Sequence, residues 1–240
     1  MSSALRFFQQ NWYPFARRFL VGAALGLLFL LPVSALIGAT DIQTDDKPYF
    51  LIAWGGDGGI PALALVGHLP EAPREATILL PGSGSAGASL RVALQNSGIN
   101  TLTALFLPTG APFPKGANAL LKGLSPRRLI VAEDSRSRTD WQSIVDAIQE
   151  QGASLEKLQP ANVRIWTAPL PGQWMLTYRK LPDSEIAGTL SQEGYPVAYR
   201  FENLVTGEFL LKRKNGEQTA ILATFPHYNR AGSRKVPLGD

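Results

Sequence analysis

The chain has no cysteine and only two histidines, His68 and His227, among its 240 residues. Without thiols there is no disulfide staple, no thiolate nucleophile and no zinc–thiolate centre, and either redox compartment stays open. A strong charge of one sign is missing too. The formal net charge is +4, but Arg6, Arg17 and Arg18 precede the first acid, Asp41, so residues 41–240 carry 20 basic and 19 acidic side chains. A near-neutral main domain does not recruit nucleic acid through bulk charge, which leaves that task to local patches. Residues 105–117 run from the end of an expected strand through a turn into an expected helix, a context where a metal-binding loop would fit. They contain no His, Cys, Asp or Glu.

What the chain does have is one long apolar run. Residues 19–39 carry no charge and are rich in Leu, Ala, Val and Phe, enough helix to cross a hydrocarbon core of about 30 Å. The arginines ahead of it predict a single-pass protein of the cytoplasmic (inner) membrane, N-terminus inside and C-terminal domain outside. Trp12 and Tyr13 stand where interfacial aromatics belong. The competing reading is a signal peptide: Val33-Ser34-Ala35 after Pro32 is a small-x-small pattern, and cleavage near Ala35 or Ala39 would leave a secreted or periplasmic protein. The organisation expected is a basic cytoplasmic N-terminus at 1–18, a transmembrane helix or signal anchor at 19–39 and an acidic linker at 40–48. A folded domain follows at 49–229, then a flexible basic tail at 230–240.

Within the domain, residues 49–54 and 62–66 read as strands joined by the turn Gly55-Gly56-Asp57-Gly58-Gly59. Residues 77–80 form a further strand, ended by Pro81-Gly82. Residues 89–97 read as a helix stopped by Gly98, 102–107 as a strand, 115–122 as a helix and 128–132 as a strand, an α/β alternation. Thr139 opens the best-marked helix, with Trp141, Ile144, Val145 and Ile148 on one stripe and Gly152 at its end. Extended segments follow at 163–166, 174–178, 197–202, 208–213 and 219–224. Asn215-Gly216 joins the last two as a hairpin turn.

Gly82-Ser83-Gly84-Ser85-Ala86-Gly87 matches the dinucleotide-binding spacing G-x-G-x-x-G between a strand and a helix. The ribose-binding acid that should close the next strand is missing, because that strand ends Leu107-Pro108-Thr109. The glycines then need serve only a tight turn and close packing. The loop also resembles the oxyanion loop of α/β-hydrolases, yet no G-x-S-x-G elbow is present, and His227 with Ser85 or Ser89 makes no triad. Asp57 and the pair Glu133-Asp134 offer oxygen ligands for a divalent ion, although carboxylates in polar turns are ordinarily solvated. Arg127, Arg128, Arg136 and Arg138 flank a strand and could meet phosphates. With Glu133 and Asp134 among them they read as a solvated charged face. No catalytic, cofactor-binding or metal-binding residue is therefore assigned.

Four segments resemble the metallo-β-lactamase superfamily, and more narrowly the C-terminal domain of ComEC-type competence proteins. They are Ile78-Leu79-Leu80-Pro81-Gly82-Ser83-Gly84, Gly98-Ile99-Asn100-Thr101-Leu102-Thr103-Ala104-Leu105-Phe106-Leu107, the stretch from Gly116-Ala117 to Leu121, and Arg127-Arg128-Leu129-Ile130-Val131. The likeness is strongest over residues 77–132. It implies an α/β fold, the metallo-β-lactamase-like αββα sandwich, preceded by the N-terminal transmembrane helix.

The family's His-x-His-x-Asp-His loop is where this chain departs. Thr109 and Ala111 occupy the first two His places, Phe113 the Asp place and Pro114 the last His place, while Pro81 replaces the Asp of the earlier turn. Family members use those side chains to hold metals that make hydroxide from water. Here the resemblance implies no metal, no cofactor and no enzyme of that kind: a pseudoenzyme in which Pro108, Pro112 and Pro114 stiffen the loop and Phe113 plugs the vacated site. The expected role is binding or scaffolding in DNA uptake, with the membrane and either single-stranded DNA or an envelope protein as partners. Two other readings stay open: a hydrolase or nucleotide-binding enzyme using the Gly82 to Gly87 loop, and a structural envelope protein.

Overall fold

Two apolar runs, β1 (Tyr49–Trp54) and β2 (Ala62–Gly67), show why the first sheet does not alternate in sequence: their central residues are buried on both faces. The computed structural model describes residues 47–67, 75–108, 113–132, 138–158, 165–170, 173–180, 186–192, 197–203, 208–226 and 229–238. The sheet continues with β3 (Glu75–Leu80), β4 (Thr101–Leu107), the short β5 (Ser125–Pro126) beside β4, β6 (Arg128–Ala132) and β7 (Ser154–Leu158). With β14 (Gly232–Pro237) at one edge, its order is β14-β1-β2-β3-β4-β6-β7. β3, β4, β6 and β7 run parallel, and parallel neighbours need crossovers. Three helices supply them: α1 (Gly84–Asn96), α2 (Phe113–Leu121) and α3 (Arg138–Glu150).

The second sheet is an antiparallel meander of β8 (Ile165–Leu170), β9 (Trp174–Lys180), β10 (Ile186–Gln192), β11 (Val197–Asn203), β12 (Phe209–Asn215) and β13 (Gln218–Phe225), in order β13-β12-β11-β10-β9-β8. Gly216 turns the last hairpin at φ +60, as the Asn-Gly pair predicts.

The first sheet is buried on both sides. On one face Leu51, Ile78, Leu105 and Leu129 pack with Leu90 and Leu94 of α1, Leu120 of α2, and Ile144 and Ile148 of α3. On the other, Phe50, Ile52, Phe106 and Ile130 meet Leu176, Tyr178, Tyr199 and Phe201 of the second sheet. Ring pairs cross this layer edge-on, Phe50 with Tyr199 at 5.2 Å and Phe106 with Tyr178 at 5.3 Å.

Two expectations need correction. The αββα sandwich is not the fold: among the described residues strands make up 55% and helices 22%, and the three helices there all join strands of the first sheet. Among the described residues no helix covers the second sheet, whose strands alternate an apolar inner face with an outer face that includes Thr177, Thr189, Arg200, Glu202 and Lys212. Among the described residues no helix is long and apolar enough to cross a membrane, and the expected span at 19–39 lies outside them. The second correction concerns the tail. Instead of a flexible segment from residue 230, Gly232–Pro237 pairs along all of β1, and Val236 and Leu238 are buried.

Candidate functional site

The glycine-rich loop after β3 is a packing device. Gly82 sits at φ +69, and a Cβ there would lie 2.7 Å from the amide nitrogen of Ala62, so no side chain fits the turn. Ser83 caps α1: its amide donates to the carbonyl of Ile60 at 2.8 Å, and its Oγ accepts from the amide of Ala86 at 3.4 Å. One turn on, Gly87 faces Gly116 in the first turn of α2. A Cβ on Gly87 would meet the Gly116 carbonyl oxygen at 2.4 Å, and one on Gly116 would meet the Gly82 carbonyl oxygen at 2.3 Å. The spacing that matches a phosphate cradle thus lets two helices start side by side.

Over this junction folds the β1–β2 turn. Asp57 accepts the hydroxyl hydrogen of Ser85 and, through Oδ1, the amide of Gly59 at 3.1 Å. The Ser85 bond is the main reason the Asp57 carboxyl is held below its ordinary range, with partial burial opposing it and the backbone amides assisting. Ser85 Oγ also lies 3.1 Å from Ser83 Oγ. A carboxylate that stays ionised is a weak base, and its partner hydroxyl is committed to it. The arrangement clasps the turn to the helix. Asp57 and Ser85 were each visible in the sequence, but nothing in their spacing announced the pair.

The remaining candidates scatter. Phe113 opens α2 with 1% exposure and joins the core between the sheets, and Pro114 and Pro108 are buried near it. Thr109, Ala111, Pro112, His68, His227, Glu133, Asp134 and Arg136 lie outside the described residues. Ser89 is half-buried on α1, and Arg138 begins α3. Arg127 pairs with Glu75 at 2.8 Å, whose other oxygen accepts from Thr103 at 2.6 Å. Arg128 holds Glu156 and donates to the Pro169 carbonyl at 3.1 Å. Both arginines therefore tie strands together. Among the described residues no three His, Cys, Asp or Glu side chains group to hold a metal ion.

One charged surface emerges that no motif marked. Leu176, Tyr178, Tyr199, Phe201 and Leu211 point inward, so alternation puts Thr177, Arg179, Arg200, Glu202, Lys212 and Lys214 on the outer face of the second sheet. Register aligns Thr167, Thr177, Thr189, Arg200, Lys212 and Ile221 in one row across the six strands. At ~4.8 Å per strand the row is about 24 Å long. Glu202 bridges Arg200 at 2.6 Å and Lys212 at 2.9 Å. Among the described strand residues, four cations thus share the face with one carboxylate. On the inner face Arg213 hydrogen-bonds Tyr199, whose hydroxyl pKa is nonetheless pushed up by burial.

No protein-family model matches the chain, and no curated protein matches it significantly.

Proposed function

We propose that the domain is a non-catalytic binding module that handles single-stranded DNA through the outer face of its second sheet. The observation that carries this reading is the gathering of Arg179, Arg200, Lys212 and Lys214 on one sheet face of a domain otherwise near neutrality, with Glu202 as the acid among them. The likeness of residues 77–132 to ComEC-type competence domains supports a place in DNA uptake, and the replacement of the metal-loop ligands by Ala111, Phe113 and Pro114 supports a binding role over hydrolysis. A shared ancestry would not carry function by itself, so the cationic face bears the weight. The uncharged run at 19–39 is the segment that would hold the domain at the outer side of the inner membrane.

The test is fluorescence anisotropy of a labelled single-stranded oligonucleotide against the full chain in mild detergent, titrated from low to moderate salt. Three to four phosphate contacts predict a log–log salt slope between about −2 and −3. Charge reversal at Arg179 and Lys214 together should flatten that slope by roughly 1.4. Saturable binding that ignores salt, or no binding at low salt, would sink the proposal.

A further inference from the structure

Among the described residues the two sheets present four edges, and three carry features that discourage strand addition. β14 holds Arg234, Lys235 and Pro237; β7 holds Glu156 and Lys157; β8 holds Pro169. β13 differs. Its eight residues, Gln218-Thr219-Ala220-Ile221-Leu222-Ala223-Thr224-Phe225, contain no charge and no proline. It is the outermost strand of its sheet, residues 218–221 are exposed, and Ile221 is 63% exposed, more than the other exposed large hydrophobics Val92 and Met175. The one irregularity is a register shift opposite Leu211 and Lys212 that leaves Leu222 as an extra residue, beyond the exposed stretch.

We infer that β13 is a homodimer edge, at which a second copy of this chain adds its own β13 antiparallel about a two-fold axis perpendicular to the sheet. An isologous contact of this kind needs the same strand to be complementary to itself. β13 satisfies that condition in every register, because no like charges can be placed opposite each other along an uncharged strand. In the register that sets Ile221 opposite its copy, pairing engages the outward backbone of the exposed residues 218–221 and brings the two Ile221 side chains together on one face, removing an exposed apolar group from water. The axis keeps the two outer faces on the same side, so the cationic rows of both copies join into one surface. The inference does not depend on what that surface binds.

The chain's lack of cysteine makes the test direct. The full chain in mild detergent should be dimeric by light scattering of the protein component, and Ile221→Lys should make it monomeric with an unchanged circular dichroism spectrum, since the side chain is exposed within its own copy. Independently, Ile221→Cys should cross-link under mild oxidation at least about ten-fold faster than Gln149→Cys on the exposed side of α3, because pairing fixes the thiols at high effective concentration. A monomer at all concentrations, a dimer that survives Ile221→Lys, or equal cross-linking of the two cysteine variants would each overturn the inference.

Discussion

The hydroxyl of Ser85 donates to the carboxylate of Asp57, and that bond fastens the β1–β2 turn to the first turn of α1. It joins residues far apart in sequence at the one point where two helices and two strands converge. It also makes Asp57 a better acid in the folded chain than in the unfolded one.

The stability consequence has a definite sign. Asp57 titrates below its ordinary 3.8 when folded, so the folded state binds fewer protons, and the contribution is present above about pH 4 and lost as pH falls through the folded value. Ser85→Ala and Asp57→Asn should each cost under about 1 kcal/mol at pH 7, because the carboxylate is exposed and screened. Urea denaturation at pH 7 and at about pH 2.5 checks this: the gap to wild type should close at the lower pH. A gap independent of pH would assign the bond no electrostatic role.

Gly188 on β10 lies under the ring of Phe201. A Cβ there would fall 1.8 Å from Cζ of that ring, which is itself stacked on Phe209 at 6.4 Å. Gly188→Ala should cost about 1–3 kcal/mol through forced movement of the ring. In Gly188→Ala/Phe201→Leu the two losses should be less than additive, and a double-mutant cycle by chemical denaturation reads the coupling. Strict additivity would refute the contact.

Glu75, on β3, is 6% exposed and binds Thr103 of β4 and Arg127 just before β6, so one carboxylate ties three neighbouring strands. Removing the cation leaves a buried charge, whereas neutralising the acid does not. Arg127→Ala should therefore destabilise by about 1–3 kcal/mol and by more than Glu75→Gln. Thermal melts of the two variants settle the order, and the reverse order would show that Arg127, half in solvent, contributes little.

The elements most legible in the sequence are those whose pattern is local. β1, β4 and β6 are mostly apolar runs, α3 carries an apolar stripe, and the β12–β13 hairpin declares itself by Asn215-Gly216. β10 escaped because Gly188 interrupts its apolar alternation, and the reason for that glycine is a ring on the next strand. β14 escaped because Gly-Ser-Arg-Lys reads as a tail until β1 supplies its hydrogen-bond partners. The G-x-G-x-x-G spacing was fully visible, but its use was decided by Gly116.

The sequence alone determined that thiol chemistry is absent, that residues 41–240 are near neutral, that strands and helices alternate through the first half, and that the loop at 105–117 lacks metal ligands. These depend on residue type and on neighbours a few positions away. Tertiary structure decided that Arg200 and Lys212 bridge to Glu202 on the outer face of the second sheet, that Ser85 holds Asp57, and that β13 is an uncharged edge among the described strands. Each of these depends on strand order and register, which bring together side chains whose separation along the chain carries no local signal.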